Sequence, residues 1–438
     1  MRKVLNFLWN GAAFAALMLA SANAQAAGAG VPSAIAASQG AAAAVENFYA
    51  ARANAPLWFD GRHEGAAARE LVAILRRAPI DGLSSGPQLA ARIEQAIATA
   101  KSGDARAIAD AERLMSAAWV VYVQALRKPT EGMIYGDPAM PAAPPPARII
   151  LRDAARAPSL SAYLASVSAV NPTYAALRSA ARAEIDAGAA QPSPRLLANL
   201  ERARAIPADG RFVMVDAAAQ RLTMYEHGRP VDSMKVIVGK TKYPTPMIAS
   251  MIHYATLNPY WHVPDHLVRE LIAANVVKQG QSYLKKQGYQ VVSDYAADAA
   301  ILPPESVDWK AVAAGKAMVK VRQLPGATNS LGAVKFPFAN GEGIYLHDTP
   351  DKALFDEAQR TLSNGCVRLE DAARFSRWLA GGELHASGPA PEQTVRLPHS
   401  VPIYITYLTA TPSGEALNFV DDVYGRDTAV MAKTAALR

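Results

Sequence analysis

Near residue 205 the period of the apolar residues changes, and no single layer of secondary structure can hold both halves of the chain. From residue 43 to about 187 apolar side chains recur every three or four positions. AAARELVAILRRA (66–78) and DAERLMSAAWVVYVQALRKP (110–129) show the spacing that lines one face of a helix. From residue 210 they recur every second position. RFVMVDAAAQRLTMYEHGRPVDSMKVIVGK (211–240) alternates, with turns at 217–219 and at His227-Gly228, and predicts an antiparallel meander. Further strand candidates are 250–259, 317–326, 332–338, 343–349 and 401–412, with a helical insertion at 265–290. The expected fold class is α+β and multidomain: an N-terminal all-α scaffold over 43–205, then a mainly β domain over 210–412. A helical cap is inserted at about 260–310, and 413–438 form a C-terminal extension. PAMPAAPPPAR (138–148) is a proline-rich connector, APLWFDG (55–61) an aromatic loop, and 25–42 a loose tether of small residues.

The first residues carry an address. Arg2 and Lys3 precede an apolar stretch over 4–20 and small residues around Ala22, Ala24 and Ala26, the pattern of a cleavable export signal over 1–24. The stretch is interrupted by Asn6 and Asn10 and is short for a retained anchor, so a periplasmic protein without a stable membrane span is expected. The formal charge of +7 includes Arg2 and Lys3, whose removal leaves +5. That modest excess suits anionic surfaces. No Lys/Arg run with interleaved aromatics points to nucleic acid.

The chain has one cysteine, Cys366, so an exported molecule cannot use it for an internal disulfide. It lies in IYLHDTPDKALFDEAQRTLSNGCVRLED (344–371), after a Ser-Asn-Gly turn in which Gly365 permits a sharp bend. The periodicity of VRLEDAARFSRWLAG (367–381) predicts a helix starting close to the thiol, where its N-terminal partial charge would favour a thiolate. His347, 19 residues earlier at a predicted strand end, is the candidate base. His253, His262 and His266 lie around the cap, and His63, His227, His385 and His399 occupy loop or surface positions. Scattered histidines without a second cysteine offer no metal set, and no cofactor is expected.

HDTPDKALFDEAQRTLSNGCVRLED resembles the signature of the L,D-transpeptidases of the YkuD fold: a histidine, then Ser/Thr-x-Gly-Cys, then an apolar residue and Arg or Asn. VIVGKTKYPTPMIASMIHYATLNPYWHVP (236–264) and KVRQLPGATNSLGAVKFPF (320–338) resemble the large YcbB-like branch, which carries a cap and a helical scaffold. The resemblance covers roughly 40–410. It implies Cys366 as nucleophile, His347 as base, the Asp348 carbonyl orienting the imidazole, and amides of Gly365 and Cys366 as an oxyanion hole. Ser363, Asn364, Arg368, Tyr345 and Trp261 would meet substrate. Many members have histidine where this chain has Asn364, which leaves His347 as the evident base.

The implied reaction is attack on the third residue of a peptidoglycan stem peptide, release of D-alanine, and transfer of the acyl group to an amine. That acceptor is a second stem peptide, giving a 3,3 cross-link, or an envelope protein. Hydrolysis by the same residues, as an L,D-carboxypeptidase or wall-protein-releasing enzyme, and a non-catalytic peptidoglycan-binding scaffold are the alternatives. No peptidoglycan-binding motif is found between 187 and 207.

Overall fold

The computed structural model describes residues 31–428 apart from 141, 142, 297 and 415. The predicted export signal lies outside the described residues, as do residues 25–30 of the tether. Two compact units divide the chain: Met1–Glu131, Pro141–Ala208 and Leu408–Arg438 form one, Gly132–Met140 and Asp209–Tyr407 the other. No described helix is long and apolar enough to cross a membrane.

The first unit is helical. Its central helix, Ala105–Leu126, starts at Asp104, whose carboxylate accepts the Ala107 amide, and it buries Leu114, Met115, Trp119, Tyr122 and Leu126. Around it run helices Val31–Ala51, Ala66–Arg77, Gly86–Ala100 and four later ones ending with Pro194–Ala203. Residues 31–42, expected as a tether, belong to the first of these helices; a run of alanines favours helix more than any other composition. The aromatic loop at 55–61 leads into strands β1 (Phe59–Asp60) and β2 (His63–Glu64), which pair antiparallel. Glu112 holds this loop. It is buried, and its carboxylate accepts the amides of Leu57, Trp58 and Phe59, each at 2.8 Å, and the Tyr49 hydroxyl at 2.6 Å.

The second unit begins with β3 (Met133–Tyr135) and resumes with β4 (Phe212–Asp216), β5 (Arg221–Glu226), β6 (Arg229–Gly239) and β7 (Met247–Leu257). The β5–β6 turn uses His227 and Gly228 at φ 51° and 68°, the two positive angles that a two-residue hairpin of this hand requires. The cap carries β8 (Trp261–His262), β9 (Tyr289–Val292), β10 (Ile301–Leu302) and β11 (Lys320–Gln323). There follow β12 (Val334–Pro337), β13 (Tyr345–His347), β14 (Thr361–Ser363), β15 (Val367–Leu369) and β16 (Gln393–Thr406). The large sheet runs β12-β13-β15-β6-β5-β4-β16-β7, and a β12–β7 pairing closes it into a ring. Leu346, Val367, Phe336, Val236 and Ile403 fill its interior. β3 and β14 attach in parallel to β7 and β6.

The cap is not purely helical and extends beyond 310. Its four strands form their own antiparallel sheet in the order β10-β9-β11-β8, so the 317–326 candidate pairs within the cap instead of joining the ring. Its helical stretch over 265–279 is π-helical at Val268–Ala273, and the two shorter helices are Ser282–Lys286 and Trp309–Ala313. Helices this short cannot satisfy their backbone groups and bury a core unaided; the small sheet supplies both. Trp261, Val263, Ile272, Leu284, Val291, Trp309 and Val321 are buried together there.

Residues beyond the ring rejoin the helical unit. β17 (Ala410–Ser413) and β18 (Ala416–Phe419) pair as a hairpin. The buried Asn199 accepts the Thr409 amide at 2.8 Å, and the buried Arg202 meets Asp427 at 2.6 Å. The expected extension over 413–428 is therefore part of the first unit: these buried polar groups need the returning chain as partner.

The Glu112 cluster sets a stability test. Glu112→Ala strands three amides, while the Tyr49 phenol keeps Ser116 Oγ and the backbone carbonyl of residue 112, so unfolding in urea should show a loss of about 3 kcal/mol, with Glu112→Gln milder because one acceptor oxygen remains.

Candidate active site

β13 and β15 are adjacent and parallel, with Leu346 opposite Val367 and His347 opposite Arg368. Leu346 and Val367 point into the ring and are fully buried. Alternation therefore places Tyr345, His347 and Arg368 together on the other face, with Cys366 entering it at the start of β15. The 19-residue separation of His347 and Cys366 is spanned by a 3-10 turn at Lys352–Asp356 and by β14.

The predicted helix does not start at the thiol. β15 intervenes, and the helix Ala372–Ala380 begins beyond it, capped by Asp371, whose carboxylate accepts the Arg374 amide. Leu369, read as part of the helical face, instead continues the strand pairing with Val236 of β6. The helix N-terminus thus gives Cys366 no adjacent charge.

The turn before Cys366 is braced from several sides. Gly365 has φ 116°, where a side chain would be strained, and a Cβ there would approach Ile344 at 3.0 Å. Thr245 Oγ1 donates to the Gly365 carbonyl at 2.7 Å and accepts the Gly239 amide at 2.8 Å. Ser363 Oγ donates to the Cys366 carbonyl at 2.5 Å and accepts the Gly365 amide at 3.1 Å. The Gly365 amide, expected in an oxyanion hole, is occupied by that serine. Asn364 Oδ1 and Arg368 Nε are buried without a protein partner.

Cys366 is partly buried, and its sulfur lies 3.8 Å from the Gly343 carbonyl. Burial pushes the thiol up to about 11, although the Tyr345 amide and phenol and the Arg368 charge work in the opposite direction. Tyr345 is itself pushed well up, first by burial and then by the neighbouring thiolate. Its ring meets that of His347 edge to face at 5.7 Å. His347 is buried and is pushed down to about 3, by burial first and then by Arg368. Its Nδ1 lies 2.5 Å from the Asp348 carbonyl; a carbonyl only accepts, so Nδ1 carries the proton and Nε2 holds the free lone pair.

Trp261, expected at the substrate, is instead buried in the cap core, beside Tyr289. His253 is away from the cap, hydrogen-bonded to Ser400 at 2.7 Å and Asp137 at 2.9 Å. His262 stacks on Tyr295 at 4.6 Å, and His266 lies 5.0 Å from Tyr243. Among the described residues, no group of three or more His, Cys, Asp or Glu could hold a metal ion. The sequence reading missed Thr245, Lys335 and Glu392. A lysine interrupting the apolar strand VKFPF was a signal for the second; nothing local marked the other two.

Comparison with known proteins identifies the two domains. Residues 210–403 match a family model described as the L,D-transpeptidase catalytic domain, YkuD, and residues 43–180 match a scaffold domain. A Haemophilus influenzae protein named "Putative L,D-transpeptidase" is 27% identical over 393 residues, covering 86% of this chain and 77% of its own. Among solved structures, an L,D-transpeptidase from Mycobacterium smegmatis overlaps 45% of this chain and 59% of its own at 14% identity and a TM-score of 0.23. Bd1075 from Bdellovibrio bacteriovorus overlaps 52% and 57% at 13% identity and 0.18. Overlaps this slight carry no weight; the family models and the order of elements do. The chain carries a YkuD-type L,D-transpeptidase catalytic domain preceded by a helical scaffold domain.

Proposed function

We propose that the protein is an exported cysteine acyltransferase that acts on peptidoglycan stem peptides in the periplasm, with Cys366 as nucleophile and His347 as base. The observation that carries this reading is the parallel register of β13 and β15, which gathers Cys366, Tyr345, His347 and Arg368 on one face.

The reaction proceeds in two halves. Cys366 Sγ attacks the carbonyl carbon of the third stem residue while its proton passes to His347 Nε2. The C–N bond to the terminal D-alanine breaks, its nitrogen takes the proton from His347, and a thioester remains. An amine acceptor then attacks, gives its proton to His347, and the sulfur leaves and is reprotonated. The Asp348 carbonyl holds the imidazole in the required tautomer. With the Gly365 amide engaged by Ser363, the Cys366 amide is the donor assigned to the developing oxyanion, and Gly365 shapes the turn that presents it. Asn364 Oδ1 and Arg368 Nε, unpaired within the protein, supply an acceptor and a donor for the polar backbone of the donor peptide.

Thiol and imidazole are both held neutral at pH 7, so the proton leaves sulfur during attack instead of before it. A raised thiol pKa means thiolate accumulates only toward alkaline pH, and a lowered imidazole pKa means His347 stays neutral down to acid pH. Alkylation of Cys366 by iodoacetamide should therefore rise about tenfold per pH unit between 7 and 9. A flat rate from pH 5 to 8 would reveal a preformed thiolate–imidazolium pair and refute this account.

Intact-protein mass spectrometry with disaccharide-tetrapeptide tests the assignment. Wild type should gain an adduct lacking D-alanine and yield cross-linked dimers; Cys366→Ala should yield neither, and His347→Ala should slow acylation by about 10²–10⁴-fold. Tripeptide as the sole product would identify a hydrolase, and persistent cross-linking by Cys366→Ala would eliminate the nucleophile assignment.

A further inference from the structure

His347 has a strand on each side. Arg368 stands opposite it on β15, and Lys335 stands opposite it on β12, so the three side chains lie in a row on the face that carries the thiol. The donor peptide, under the proposed function, occupies the β15 side with Cys366 and Arg368. A second nucleophile that must reach both the thioester and His347 Nε2 then approaches from the β12 side.

That side carries a charge pair. Lys335 Nζ lies 3.1 and 3.2 Å from the two carboxylate oxygens of Glu392. Side-chain exposures of 16% and 36% leave both ends reachable. Glu392 is held in a left-handed conformation, φ 57°, with its amide donating to the Asn258 carbonyl at 3.0 Å. Its Oε1 also accepts the Tyr260 amide at 2.7 Å, where the chain enters the cap. A non-glycine residue at that angle costs free energy, and here it fixes one carboxylate beside one ammonium. The pair lies near the reacting groups: Glu392 acts on Tyr345, and Lys335 and Glu392 both act on the half-buried His262. Arg322 of the cap, stacked over Tyr260 at 4.4 Å, also acts on His262.

We infer that Lys335 and Glu392 are the specificity-determining residues for the acceptor, and that they select an amine whose own carbon bears a carboxylate. A part-buried ion pair resists separation unless both ends find new partners. A zwitterionic centre provides both: its ammonium replaces Lys335 against Glu392, and its carboxylate replaces Glu392 against Lys335, with no change in net charge; the ammonium loses one proton to solvent before it attacks as the free amine, and the second passes to His347 as above. The D-centre of a diamino acid in a second stem peptide has this chemistry. A lysine side chain of an envelope protein has no carboxylate beside its amine, and water has neither group. The inference rests on the proposed acyltransferase function and narrows its acceptor to stem peptides.

The test separates the two half-reactions. The full-length mature protein is acylated with disaccharide-tetrapeptide and then offered D-methionine, D-methioninamide or Nα-acetyl-lysine amide, with adduct formation and decay followed by mass spectrometry. Wild type should transfer to D-methionine at least about tenfold faster than to either amide. In Glu392→Gln and Lys335→Met the ratio of D-methionine transfer to acylation should fall about tenfold. The double exchange Lys335→Glu/Glu392→Lys keeps an ion pair and so guards against misfolding; it too should lose this preference, because the two sites have changed places. Equal wild-type rates with the acid and its amide, or variants and exchange that transfer as wild type does, would overturn the inference while leaving the acyltransferase intact. Absence of any wild-type adduct would overturn the proposed function itself, and this inference with it.

Discussion

Parallel pairing of β13 with β15, two strands of three residues each, sets which side chains of the catalytic face can meet. A slip of one residue would send His347 and Arg368 into the ring and turn Leu346 and Val367 out to the surface. Burial of Leu346 and Val367 in the ring interior forbids that slip, so hydrophobic packing on one face enforces the alignment on the other. Short parallel strands need long connections, and here the connection is residues 348–366. Its β14 pairs with the end of β6, and Val238 and Lys240 donate to the carbonyls of Arg360 and Ser363. The turn carrying Cys366 is thus anchored at both ends before any charge is considered.

Much of this was legible in the sequence because it depends on periodicity and spacing. The shift in period near 205 separates helical from β segments, and the alternation at 211–240 is the β4–β5–β6 meander. What escaped depends on contacts between distant segments. β15 is too short to alternate, and its Leu369 is spaced correctly for the helix that follows, so local pattern assigned it to that helix; pairing with β6, more than 120 residues earlier, decided otherwise. Trp261 looked like a substrate wall because aromatics serve both walls and cores, and only the cap's own packing distinguishes them. Within 317–326 the alternation correctly marks β11; which sheet receives it is set by β8 and β9.

The site residues divide in the same way. Cys366 and His347 stand in a motif, and a motif is local. Lys335 and Glu392 are 57 positions apart and meet only because β12, β7 and β16 are neighbours in the closed ring. Thr245 is a single hydroxyl in a loop, yet it joins the Gly239 amide to the Gly365 carbonyl 120 residues away. Ring closure therefore does more than remove sheet edges: by pairing β12 with β7, the neighbour of β16, it brings Lys335, already opposite His347, up to Glu392 just before β16.

The electrostatics of that face favour restraint at rest. A thiol held protonated by burial is a poor target for oxidants, since the thiolate is the reactive species. This suits a lone cysteine on the proposed route through an oxidising compartment, where no second thiol in the chain could rescue it by forming a disulfide. The same neutrality costs nucleophilicity. In the proposed reaction it would be offset only when a bound carbonyl accepts electron density as His347 Nε2 accepts the proton, which would confine reactivity to the moment of substrate engagement. Arg368 acts on both groups: its charge lowers the thiol and the imidazole together, which in the proposed transfer would ease loss of the proton from sulfur while keeping His347 neutral to receive it. A cation at this position, on the strand that begins beside Cys366, would serve both partners of that proposed transfer, which neither an apolar residue nor a carboxylate could do.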